Sequence, residues 1–196
     1  MNIKTKSELI FEKFCFDNSI LYESIMVSNH VTPDYKIYIN NQPIIVEIKQ
    51  IDSDINFDSI NGVTSRIVGN HVRQKINEAK KQLQSVACNG LPTILLIYNN
   101  LDGLQIFGTE QHDFIAAMYG ELTVRIVDGQ IKDSFHGRNR SFFPQKNTSF
   151  SAIGHLVSRN DGVFIRLYEN IFAKNEIQYS DFPNCIEVVK IDLVDS

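Results

Sequence analysis

The chain has 196 residues, 43% hydrophobic and 21% charged, close to the soluble globular average, which excludes collagen-like and wholly disordered chains. No window approaches the roughly 18 consecutive apolar residues of a membrane-spanning helix, so no membrane partner is expected. A formal net charge of −4 argues against a polyanion binder held by overall charge, though not against a local basic surface.

Length sets one domain: residues 1–100 read as its core and 101–196 as an elaboration of it. Met1–Lys6 leads into Glu8, Glu12 and Lys13 rather than an apolar stretch, so no secretory signal is expected. Cys15, Cys88 and Cys185 are odd in number and scattered, which fits neither a disulfide framework nor a CxxC metal knuckle. The expected compartment is a reducing cytoplasm.

Thr5–Asp17 reads as a helix, with Ile10, Phe11, Phe14 and Cys15 on one stripe and Thr5 and Glu8 spaced as a capping box. Tyr22–Ser28 reads as a strand. Pro33-Asp34 opens a second strand, in which Asp34, Lys36 and Tyr38 alternate with Tyr35, Ile37 and Ile39. Asn40-Asn41 is a turn, and Ile44–Ile51 a third strand. After a loop carrying Asp52, Asp54 and Asp58, a helix is expected over Thr64–Ala87, stopped by Asn89-Gly90 and Pro92. Thr93–Tyr98 then reads as a strand buried on both faces. In the second half, strands are expected at Leu104–Phe107 and Leu122–Val127 around a helix at His112–Tyr119. Lys132–Ser151 reads as a long polar loop, and Ile153–Val157, Val163–Tyr168 and Ile186–Ile191 as further strands.

Chemistry concentrates on the second and third strands. Side chains alternate along a strand, so Glu47 and Lys49 share a side with Ile45, while Ile44, Val46 and Ile48 fill the other. A short hairpin would bring Asp34 to them. Two carboxylates, with the Ile48 carbonyl as a further oxygen, suit a hard divalent cation such as Mg²⁺ or Mn²⁺. Lys49 beside them would hold an attacking water or a phosphate. The competing reading makes Glu47 and Lys49 the solvated face of a strand and Asp34 a turn residue. The apolar run IIVEIKQI weighs against it, because a central strand has no solvated face.

Pro33-Asp34, then twelve residues, then Glu47-Ile48-Lys49 resembles the PD-(D/E)xK, or restriction-endonuclease-like, nuclease superfamily. The α-β-β-β-α-β order over residues 5–99 is similar to the common core of that superfamily. The resemblance implies an α/β fold with a mixed central sheet flanked by helices, here with a β-rich C-terminal elaboration. It also implies a Mg²⁺-dependent endonuclease acting on DNA, in a role such as restriction or defence against foreign DNA. Asp34 and Glu47 would be metal ligands and Lys49 catalytic. Many members add a glutamate from the first helix. Glu8 is preferred over Glu12, which lies about 40° further towards solvent, although Glu8 serves equally well as the capping partner of Thr5. Gln82 resembles a glutamine that some subfamilies keep near the site.

Contacts to nucleic acid are sought in two places. Arg66, Arg73 and Lys80 are seven apart and would run along one flank of the second helix, with Lys75 and Gln82 on the opposite border. Arg138, Arg140 and Lys146 mix with Phe135, Phe142 and Phe143, a pairing that suits phosphates and unstacked bases. Solvated surface is the plain alternative for both. A catalytically inactive nucleic-acid-binding module or an interaction subunit of the same fold is the alternative function, and a homodimer stays open. The five histidines form no i, i+4 ligand pair, and no GxSxG, GxGxxG or GxxxxGK[ST] motif occurs.

Overall fold

In the computed structural model, which describes residues 4–25, 32–54, 65–160 and 162–191, the first helix begins where its capping residues put it. Thr5 stands at the N-cap of α1 (Lys6–Asp17): its hydroxyl accepts the Glu8 N–H, and the Glu8 carboxylate accepts the Thr5 N–H. Two orphan donors of the helix end are thereby satisfied. Next, β1 (Leu21–Ser24), β2 (Tyr35–Ile39) and β3 (Gln42–Ile51) form an antiparallel meander. Asn40 and Asn41 turn between β2 and β3 with φ of 46° and 65°, the left-handed pair that a two-residue hairpin turn needs. The expected strand at Tyr22–Ser28 is thus shorter, ending at Ser24; residues 26–28 lie outside the described residues.

The second helix, α2 (Asn70–Ala87), crosses over and delivers β4 (Thr93–Asn99) parallel to β3. All seven β4 residues are buried, as a strand covered on both faces must be. The helix starts later than expected. Gly69 adopts φ +71°, and a Cβ there would meet the Asp113 carbonyl oxygen at 2.7 Å, so the chain turns here and only then enters the helix.

Then α3 (Gln111–Tyr119) leads into β5 (Glu121–Val127) and β6 (Gln130–Arg138), which among the described residues pair only with each other. Further on, β7 (Ala152–Arg159) lies parallel to β4, β8 (Gly162–Glu169) antiparallel to β7, and β9 (Ile186–Val189) parallel to β8. The main sheet is seven-stranded and mixed, in the order β1-β2-β3-β4-β7-β8-β9. The second half therefore extends the first sheet.

Two expectations fail here. Leu104–Phe107 is not a strand: the Asp102 carboxylate accepts the Ile106 and Phe107 N–H groups, and Gln105 takes φ 56°, which curls the segment into turns. Lys132–Ser151 is not all loop, because β6 occupies its first part.

Alternation divides the core. Tyr35, Ile37, Ile44, Val46, Ile48, Ile94 and Leu96 face α1. Ile45, Leu95, Ile97 and Ile153 face the other way, against Val72, Ile76 and Leu83 of α2 and Phe114 of α3. Glu47 and Lys49 share the parity of Ile45 and so lie on the α2 side.

Candidate metal centre

The register of the β2–β3 hairpin builds the site. Tyr35 pairs with Val46 and Lys36 with Ile45. One step further out, Asp34 stands opposite Glu47, and opposed residues of an antiparallel pair project from the same face. The Ile48 N–H donates to Asp34 Oδ2 at 2.8 Å. The carbonyl of a strand residue leaves on the same side as its N–H, so the Ile48 carbonyl also points towards Asp34. Among the described residues β1 and β2 stop at this level, while β3 runs on to Ile51 beside β4.

Glu47 carries the unusual chemistry. Its side chain is 0% exposed, and Lys49 Nζ lies 2.6 Å from Oε1. By strict hydrogen-bond geometry neither Glu47 oxygen has an aligned partner, although Lys49 and the Asp34 N–H both lie close enough to pull its carboxyl downward. Burial, and then the Asp34 charge, push the Glu47 carboxyl up to about 7, against the opposing pull of Lys49. Burial also raises Asp34, opposed chiefly by the Ile48 N–H and then by Lys49. Burial is thus the main reason that both carboxyls are raised. Two carboxylates and a carbonyl are the oxygen donors a hard divalent cation takes.

Glu8 does not join them directly. Its Oε2 holds Thr5 through the N–H at 2.6 Å and the hydroxyl at 2.7 Å, and it reaches Asp34 only as a charge that raises it. Glu12 is engaged by Lys4 at 2.6 Å and by the Tyr35 hydroxyl at 2.9 Å. The helix-cap reading of Glu8 describes its contacts.

The expected basic rail is largely tied up in packing. Arg66 precedes α2, pairs with Asp113 and Glu110, and lies over the Phe107 ring. Arg73 donates to the Ala116 and Val68 carbonyls. Lys75 pairs with Glu78 at 2.9 Å, whereas Lys80 and Gln82 are half-buried on α2. Arg138 is exposed at the end of β6. Arg140 lies 4.1 Å over Phe143, with Lys146 at 5.6 Å, so that ring already has cationic neighbours, and Phe142 is core.

A second charged cluster escaped the sequence reading. Glu110, His112 and Asp113 bring ligand-type atoms within 4.8 Å of one another. Its centre is already neutralised: buried Asp113 pairs with Arg66 and accepts the Gly69 and Glu110 N–H groups at 2.8 and 3.1 Å. His71 is buried at the start of α2 and contacts Asp54. Both pairings join residues remote in sequence, where no local spacing announces them; Asp58 of the acidic loop lies outside the described residues.

No protein-family model matches the chain, nor does any curated protein or solved structure.

Proposed function

We propose that the chain is a metal-dependent nuclease of the restriction-endonuclease-like kind, hydrolysing phosphodiester bonds in DNA with Mg²⁺ or Mn²⁺. The observation that carries this reading is Glu47, a wholly buried carboxylate without an aligned donor, set opposite Asp34 with Lys49 at 2.6 Å. A purely structural buried carboxylate would have its lone pairs satisfied.

Asp34, Glu47 and the Ile48 carbonyl would hold the ion. When bound, it would act as a Lewis acid on the phosphate and acidify a water. The Ile48 N–H fixes the Asp34 rotamer, leaving its other oxygen for the ion. Protons and cations compete for Glu47, because burial keeps its carboxyl protonated towards neutral pH. Lys49, partly exposed beside it, places an ammonium where a phosphate oxygen would accumulate charge.

The test is incubation with plasmid, linear duplex and single-stranded DNA, with Mg²⁺, with Mn²⁺ and with chelator. Metal-dependent cleavage lost in Asp34→Ala and Lys49→Ala is the expected result. Equal cleavage by both variants would remove the assigned site. Salt-sensitive binding without cleavage would replace the nuclease with a binding module.

A further inference from the structure

A cavity of about 250 Å³ lies where β7 and β8 run past the start of α3. Strand pairing builds its floor. Arg166 of β8 stands opposite His155 of β7, and Phe164 opposite Val157; opposed residues share a face. That is the face of α3, because Phe114 meets the His155 ring with centroids 5.8 Å apart. Arg159, two residues beyond Val157, falls on the same side. Residues 105–111 supply the wall.

This wall is pinned to β7. Gln105 Oε1 accepts the Ser158 N–H at 2.8 Å, and Arg159 Nη2 donates to the Leu104 carbonyl at 2.9 Å. The Thr109 hydroxyl donates to the Gln105 carbonyl at 3.0 Å. Gln105, Thr109 and His155 are all buried, but His155 differs from the other two. Its Nε2 is buried without a hydrogen-bond partner among the described residues. Burial, and then the charges of Arg159 and Arg166, push the imidazole down to about 3, so both cations reach this floor and the ring is neutral. Buried polar atoms that serve structure alone find partners. Beside a polar cavity, such an atom is satisfied by a ligand group or a bound water.

Charge sets the class of ligand. Arg166 spends its Nε on Glu187 at 2.7 Å and Arg159 one N–H on Leu104. A guanidinium has five N–H donors, so each fork keeps several for an anion. Gln111 opens α3, and the N–H groups of a helix start favour negative charge. Glu110 on the rim is drawn to Arg66 at 3.3 Å. The volume exceeds a bare ion, since one water takes about 30 Å³, and Ile106, Val157 and Phe164 line the remainder with apolar surface.

We propose that this cavity binds a mononucleotide-sized organic phosphate, its phosphate between Arg159 and Arg166 and its base against Phe164 and Ile106. The source is a free nucleotide or the phosphorylated end of a strand. The site does not rest on Asp34 and Glu47, which lie beyond β4 in the sheet.

Titration calorimetry of the full chain in chelator, which keeps cations from the carboxylate pair, tests the site. Deoxyadenosine 5′-monophosphate should bind one per chain, about tenfold or more tighter than deoxyadenosine. Arg159→Gln and Arg166→Gln should each weaken it by about tenfold with unchanged circular dichroism spectra. Arg125→Gln, the same charge change on β5, and Lys49→Ala should both bind as wild type does. Competition by an oligonucleotide only when it is 5′-phosphorylated identifies a strand end; no competition by either form identifies a free nucleotide. The proposal is overturned by no binding of the monophosphate at millimolar concentration, or by equal affinity for the nucleoside. Equal competition by the unphosphorylated oligonucleotide, or an equal loss in Arg125→Gln or Lys49→Ala, would overturn it too.

Discussion

Glu47 and Asp113 are both carboxylates with 0% side-chain exposure, and the fold treats them oppositely. Asp113 is surrounded by donors: the Arg66 guanidinium and the Gly69 and Glu110 N–H groups. It ties the start of α2 to the start of α3. Glu47 has a misaligned ammonium and a neighbouring carboxylate. On the proposed reading, the difference separates a charge buried to hold structure from one kept for an exchangeable cation.

The sharpest way to break that contrast is to remove each carboxylate. Asp113→Ala strands Arg66 and two N–H donors, and should destabilise the chain by about 3 kcal/mol in urea unfolding. Glu47→Gln orphans no comparable donor, and at pH 5, where folded Glu47 is still protonated, its unfolding midpoint should stay close to wild type. In cleavage assays the ranking inverts. Asp34→Ala, Glu47→Gln and Lys49→Ala should each lower the metal-dependent rate by about 10²–10³-fold, while Asp113→Ala, assayed where it is folded, keeps the wild-type rate. If Glu47→Gln were the more destabilised and Asp113→Ala the less active, the two roles would have to be exchanged.

Titration sharpens the same comparison. Glu47 moves from an ordinary value of 4.5 to about 7 in the folded chain. The native state therefore holds a proton that the unfolded state has released. Its contribution to stability is full below the unfolded value and is lost as pH rises through the folded one, on the order of 3 kcal/mol in all. Buried His155 works the other way: burial first, and then Arg159 and Arg166, lower it from 6.5 to about 3, so stability falls as pH drops below its unfolded value. The two slopes oppose each other, and the raw curve for wild type is flattened. The difference between Glu47→Gln and wild type cancels His155. It should grow in the variant's favour from pH 5 to pH 8 on the order of 2 kcal/mol. A constant difference would remove the buried-proton account of Glu47.

Metal gives a smaller effect with the same logic. Mn²⁺ at about tenfold above its dissociation constant should stabilise wild type by about 1.4 kcal/mol. The shift should vanish in Glu47→Gln and Asp34→Asn and persist in His112→Ala, which strips a possible ligand from the Asp113 cluster. Thermal unfolding with and without chelator reads this directly. Loss of the shift in His112→Ala alone would move the cation to the other cluster.

How much of this was legible in the sequence follows from the range of the interactions. Strand parity in IIVEIKQI and the Asn40-Asn41 turn are local, so the hairpin that sets Asp34 opposite Glu47 could be read from them. The central position of β4 was equally local, in an unbroken apolar run. By contrast, β6 hides because its bulges at Lys132 and Gly137 break the period and its hairpin stands apart from the main sheet. Asp102 folds Leu104–Phe107 into turns with a side chain that periodicity ignores. Arg66 was assigned to a helix flank because its partner, Asp113, stands 47 residues away, and only the tertiary fold reveals that its charge is already paired.

That last correction yields the smallest prediction. Of the helix cations expected to meet phosphates, Arg73 is committed to the Ala116 and Val68 carbonyls, whereas Lys80 has no ion-pair partner among the described residues. Arg73→Gln should therefore destabilise the chain by about 1 kcal/mol, the worth of its lost hydrogen bonds, and leave the salt dependence of DNA binding unchanged. Lys80→Ala should alter stability by no more than about 0.5 kcal/mol yet lower the slope of log K against log salt by about one if it neutralises a phosphate. An unchanged slope in Lys80→Ala would leave α2 outside the nucleic-acid surface altogether. The cationic track would then be sought at the end of β6 and beyond it, in exposed Arg138 and Arg140 and in Lys146 beside Phe143.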